Sequence, residues 1–175
     1  TVKIQVDTKP KKWYQLSQTS AKSTKDHPIE DITNDLPLTT SPLHVMPNPM
    51  CSATNLKALT LHGNSFEFID NILKEITSLV EMNITHCCVN AISENLKLLT
   101  LLVTFNLSHN DIVILPEQIG RCLAITELNL SHNQLCKLPI SIGRLKHVIN
   151  VHLDHNNLSY LTPEIGGVPE VYGMT

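Results

Sequence analysis

His86, His109, His132 and His155 stand at an unbroken spacing of 23 residues. Imidazole is a common zinc ligand and the side chain that changes charge nearest neutral pH, so such a column raises metal binding and acid sensitivity as its two chemistries. Distance limits the first. If successive histidines lie on neighbouring strands, four rungs span ~14 Å, whereas zinc holds nitrogen at ~2 Å, so one ion reaches a neighbouring pair at most, helped by His152 or Asp154. The reading adopted is that the column holds no metal and that the repeat was copied with LSHN in it. Protonation below pH ~6 would make the column repel itself or attract an acidic partner.

Other chemistry is weakly supported. The chain has no P-loop, GxGxxG, HExxH, GxSxG or CxxC. His62 with Asp70, or His152 with Asp154, are ordinary coincidences among nine histidines. No enzymatic activity and no cofactor are expected. The five cysteines are an odd number, the adjacent Cys87 and Cys88 are poorly placed to bond each other, and Cys51, Cys88 and Cys136 have no activating neighbours. A reducing, cytoplasmic compartment fits that usage. The Asn-x-Ser/Thr triplets at Asn83, Asn106, Asn129 and Asn157 follow from the repeat's wording and are expected to carry no sugar.

The histidines belong to a larger period. Leu56, Leu79, Leu102, Ile125 and Val148 each open a copy of LxxLxLxxNxL, 23 residues apart, and such a period is the mark of a solenoid. Within a copy the apolar positions alternate as in a strand, so Leu128 and Leu130 face a core while Glu127, Asn129 and Ser131 face out. Stacked copies then make a curved parallel sheet, an α/β architecture with short helical or irregular segments on the convex side. After each strand the chain turns inside the solenoid, where unpaired backbone groups are costly. An Asn side chain supplies both a donor and an acceptor, so Asn64, Asn110, Asn133 and Asn156 are expected to form a structural ladder. Cys87 takes the same position and should be its weak rung, because a thiol hydrogen-bonds feebly.

The return segments differ between copies. Residues 115–120, 138–143 and 161–166 carry Leu-Pro or Leu-x-Pro followed by Ile-Gly, where Gly is expected to permit the conformation that leads into the next copy. Residues 71–76 and 94–99 lack both Pro and Gly and look more helical. The joined pattern, LPxxIGxL with LxxLxLxxNxL, resembles the 23-residue class of intracellular leucine-rich repeat proteins, the group containing Ras-suppressor and Scribble-type proteins. That resemblance implies a protein-binding arm in signalling or complex assembly. Some relatives carry such repeats beside a kinase, phosphatase or ubiquitin-ligase domain, which makes a targeting or regulatory arm of a multidomain enzyme the alternative.

Counting along the frame places the partner-binding concave face at Glu81, Asn83, His86, Asn106, His109, Glu127, Asn129, His132, His152, Asp154 and His155. Ala58, Ser108 and Ser131 count as outward by the same rule, and Val80, Val103 and Ile149 are candidate apolar anchors. The surface fits a protein segment better than a small metabolite. Residues 1–32 hold six Lys against four acids and are expected to be a flexible polar tail, with a KPKKWY run at 9–14 that a solvated tail explains. Residues 33–55 read as a degenerate first repeat or cap, 56–170 as five full repeats, and 171–175 as the start of a sixth in a fragment of a longer chain. The repeats are acidic, with seven Lys or Arg against twelve acids over residues 33–175, which argues against nucleic acid. No stretch approaches the ~20 apolar residues of a membrane helix.

Overall fold

The computed structural model describes residues 2–7, 14–18, 56–66, 69–161, 163–167 and 170–172. Among the described residues eight strands form one sheet: β1 (Val2–Asp7), β2 (Tyr14–Gln18), β3 (Ala58–His62), β4 (Glu81–Thr85), β5 (Thr104–Asn106), β6 (Glu127–Asn129), β7 (Asn150–His152) and β8 (Glu170–Tyr172). Their spatial order is β2-β1-β3-β4-β5-β6-β7-β8, and every pair from β1 to β8 through β3 is parallel. The repeat period sets the register. Leu59, Met82, Phe105, Leu128 and Val151 stand opposite one another on successive strands, and each is wholly buried. Leu61, Ile84, Leu107, Leu130 and Leu153 make a second buried row. One apolar spine runs the length of the repeats, as expected where each repeat cannot bury its own apolar face alone.

The convex side is built from single turns. α1 (Asp70–Glu75) serves the first copy, and 3-10 turns at Glu94–Leu98, Glu117–Arg121, Ile140–Arg144 and Pro163–Gly167 serve the rest. Thus the α-helical return is confined to copy one. The second copy, also expected to be more helical, takes the same 3-10 form as the Pro-containing ones. Ser93 explains this: its hydroxyl accepts from the Asn95 N–H and caps the turn at the place where Pro116 and Pro139 hold extended backbone in the next two copies.

The glycines correct a second expectation. Gly120 and Gly143 do not adopt left-handed backbone. A Cβ on Gly120 would lie 2.7 Å from Ser141 Cβ and 2.8 Å from Ser141 O, and one on Gly143 would lie 2.8 Å from both Cβ and O of Glu164. They are glycine because neighbouring turns approach that closely.

At the two ends the sequence reading departs further. Val2–Asp7 and Tyr14–Gln18 are not a flexible tail: they pair antiparallel as a hairpin, and β1 lies parallel to β3 with Ile4 opposite Leu59. The alternation of Val2, Ile4 and Val6 with Lys3 and Gln5 is the period of a strand. The expected cap at 33–55 lies outside the described residues, and the strand beside β3 is β1. At the other end Val171 stands opposite Val151, where a 23-residue spacing would place residue 174. The last return segment is three residues shorter than the others.

Candidate protein-binding face and histidine column

The turn after each strand is tied by its asparagine. Asn110 Oδ1 accepts from the N–H groups of Cys87 and Val89 in the preceding copy, at 3.0 and 3.2 Å, while its Nδ2 donates to the carbonyls of Ile84, Leu107 and Ser108. Asn133 and Asn156 repeat this, accepting from Ile112 N and Leu135 N. Asn64 Nδ2 donates to His62 O at 3.1 Å. Cys87 offers no amide; its thiol donates to Thr85 O at 3.2 Å and lies beside the hydrogen-bonding groups of Asn64 and Gly63. The chain adjusts instead: Phe66 N, which corresponds to Val89, Ile112 and Leu135, donates to the backbone carbonyl of Cys87 at 2.8 Å. Cys88 is left-handed at φ 55°, a conformation its counterparts Asp111 and Gln134 do not share, and this accompanies the rotated carbonyl.

The position just before the asparagine has its own requirement. Gly63, His86, His109, His132 and His155 all have positive φ, between 52° and 66°. That region strains most side chains, and Gly, Asn, Asp and His tolerate it best. The histidine column therefore sits where the backbone restricts the choice of residue, rather than at a position that accepts any polar group. Gly63 in the first copy was the sequence signal for it. The identical backbone stacks the rings: centroids are 4.3 Å apart for His86 and His109, 4.1 Å for His109 and His132, and 4.1 Å for His132 and His155, with planes within 20°. His62, from the neighbouring frame position, extends the column at 4.9 Å. Desolvation, then the charges of His132 and His86, hold the His109 imidazole below the usual histidine range.

Asp154 meets the column at its far end, with Oδ2 3.8 Å from His132 Nε2. Ligand atoms of His132, Asp154 and His155 all lie within 4.8 Å of one another. His152 turns to the last strand and stacks on Tyr172 at 4.6 Å.

The strand residues of the expected face line the inner curve. Glu127 is exposed, and Glu81, Asn83, Asn106, Asn129 and His152 are half-buried. A depression of about 230 Å³ lies between β5 and β7, lined by Asn106, Glu127, Asn129, Asn150 and His152 among others. Asn106 and Asn129 also serve their own turns, their Oδ1 atoms accepting from Ser108 N and Ser131 N at 3.0 Å. Ala58, Ser108 and Ser131, counted as outward, are buried. The serines lie where the strand bends into the inner turn, and there the simple alternation ends. Ile149 is the most exposed of the three expected anchors, while Val80 and Val103 are half-buried.

The thiols separate by burial. Cys87, Cys88, Cys122 and Cys136 are all free, the first and third buried, the second and fourth exposed. Burial pushes Cys87 to about 11 and Cys122 to about 12. A maleimide pulse on the native protein at pH 7.5 is therefore expected to label Cys88 and Cys136 and spare Cys87 and Cys122 until unfolding, as read by peptide mass spectrometry. Rapid native labelling of Cys122 would show that the convex layer opens.

An unclosed parallel sheet, short 3-10 turns on its far side and an asparagine-tied turn between them define a leucine-rich repeat solenoid. The Leucine Rich Repeat family model matches residues 101–122 and 124–145. The sequence matches no curated protein. The structure is similar to an LRR protein of Leptospira interrogans, with a TM-score of 0.68 and 23% identity over 71% of this chain and 32% of that one. It is also similar to an internalin of Listeria monocytogenes, with a TM-score of 0.59 and 16% identity over 73% of this chain and 44% of that one. The chain thus spans less than half the length of either, and the likeness concerns the fold. Repeats of this kind generally mediate contacts between proteins. No helix among the described residues is long and apolar enough to cross a membrane.

Proposed function

We propose that the chain is a non-enzymatic interaction arm that captures a polypeptide on its concave face, in the intracellular signalling or complex-assembly setting of the 23-residue class. The observation that carries this reading is the uncovered sheet. Parallel sheets are ordinarily packed on both faces. Here the outward residues of β4 to β7, Glu81, Asn83, Thr104, Asn106, Glu127, Asn129, Asn150 and His152, are all exposed or half-buried. Side chains that present hydrogen-bonding groups on rigid, closely spaced strands are pre-organised for a partner, which reduces the ordering entropy of binding. Free thiols on the surface support a reducing compartment.

A photo-crosslinking residue placed at Asn129 on the concave strand, or at the exposed Ile140 of a convex turn, tests the proposal in the full chain inside cells. Adducts to a discrete polypeptide are expected from position 129 and not from 140. Adducts from 140 alone would move the binding surface to the other side of the solenoid.

A further inference from the structure

We propose that His132, Asp154 and His155 form a binding site for a borderline divalent transition-metal ion such as zinc. Two imidazoles and one carboxylate suit such metals, whereas calcium and magnesium prefer all-oxygen sites. The three ligand atoms already lie within 4.8 Å of one another, and two atoms bound tetrahedrally to one zinc at ~2 Å stand about 3.3 Å apart. The shift needed is on the order of an ångström. Side-chain rotation supplies it readily, because the His132 and Asp154 side chains are 40% and 38% exposed. The two stacked rings, 4.1 Å apart, must turn out of parallel so that both nitrogen lone pairs meet the ion.

The backbone beneath them is fixed. His132 N donates to Asp154 O at 2.9 Å and Asn133 N to His155 O at 3.2 Å, so the two turns that carry the ligands are bonded to each other. This combination arises at one end of the column. The residue preceding the column position is His62, Thr85, Ser108 and Ser131 in the first four copies and Asp154 in the fifth. The carboxylate converts a stack of imidazoles into a chelating set and offsets the ion's charge. Three protein ligands leave a coordination position for water or for a donor atom of a bound partner.

Zinc titration of the untagged full chain by calorimetry, with cobalt absorption as a check on geometry, tests the site. His132→Asn and His155→Asn are the suitable variants, because Asn tolerates the left-handed backbone there and the turns stay folded; Asp154→Asn removes the carboxylate. Each is expected to weaken zinc binding about tenfold or more, while His86→Asn, elsewhere in the same column, leaves it unchanged. Binding should also fail below pH ~6, where protons compete for imidazole. Equal affinity in all four variants, or an equal loss in His86→Asn, overturns the assignment. The readout needs no polypeptide partner, so failure here leaves the concave-face proposal standing.

Discussion

Asn133→Ala is expected to lower the free energy of unfolding by about 2–3 kcal/mol, measured by urea denaturation. The side chain makes four bonds: its Oδ1 accepts from Ile112 N at 3.0 Å, and its Nδ2 reaches Leu107 O, Leu130 O and Ser131 O. The magnitude depends on which partners are then left alone. Leu107 O keeps the amide of Asn110, and Leu130 O keeps that of Asn156. Ile112 N loses its acceptor, and Ile112 is wholly buried, so most of the penalty is one unpaired donor. Copy two shows the available escape. There the backbone carbonyl of Cys87 serves Phe66 N once Cys88 goes left-handed. The same rescue at Asn133→Ala would force Gln134 into that region, at about 1–2 kcal/mol, and disturb its bond from N to Ile112 O at 2.9 Å. The rescue bounds the loss without abolishing it. An unchanged midpoint would show that water reaches the inner turn.

The same residues show how far the sequence could be read. The period alone placed Leu59, Met82, Phe105, Leu128 and Val151 in register, because a parallel stack with one buried face admits no slip without exposing its leucines. What a repeat pattern conceals is conformation. The histidine column looked like copied wording, yet its backbone is left-handed throughout, and the constraint was visible only as Gly63 in the first copy. Asp154 stood out in the sequence as a helper to a neighbouring histidine pair, but which histidine it meets, His132 at 22 positions away, is decided by the register. Cys87 was read as a weak rung from its thiol. The compensation comes from the main-chain carbonyl of Cys87 itself, beside a left-handed Cys88, which no side-chain inventory contains. At the ends, a fixed 23-residue count failed where the last return shortened and β8 arrived early.

Gly120→Ala is expected to destabilise by about 2 kcal/mol, whereas Gly166→Ala is expected to be neutral or to stabilise by up to about 1 kcal/mol. Both glycines end the same Ile-Gly motif, and alanine in place of glycine normally reduces the entropy of the unfolded chain. At Gly120 that gain is opposed by contact with backbone: the new Cβ would stand 2.8 Å from Ser141 O and 2.7 Å from Ser141 Cβ. Ser141 is buried and its N–H is held by the Glu117 carboxylate at 3.1 Å, so it cannot move aside without loosening the tie between two turns. Among the described residues nothing lies within 4 Å of the corresponding point at Gly166. Thermal unfolding of the two variants separates a packing requirement from a general need for flexibility. Equal and small effects would mean that the convex turns have slack. A large loss at Gly120 alone shows that the spacing of the turns, and hence the curve of the inner face, is held by the closeness that glycine permits.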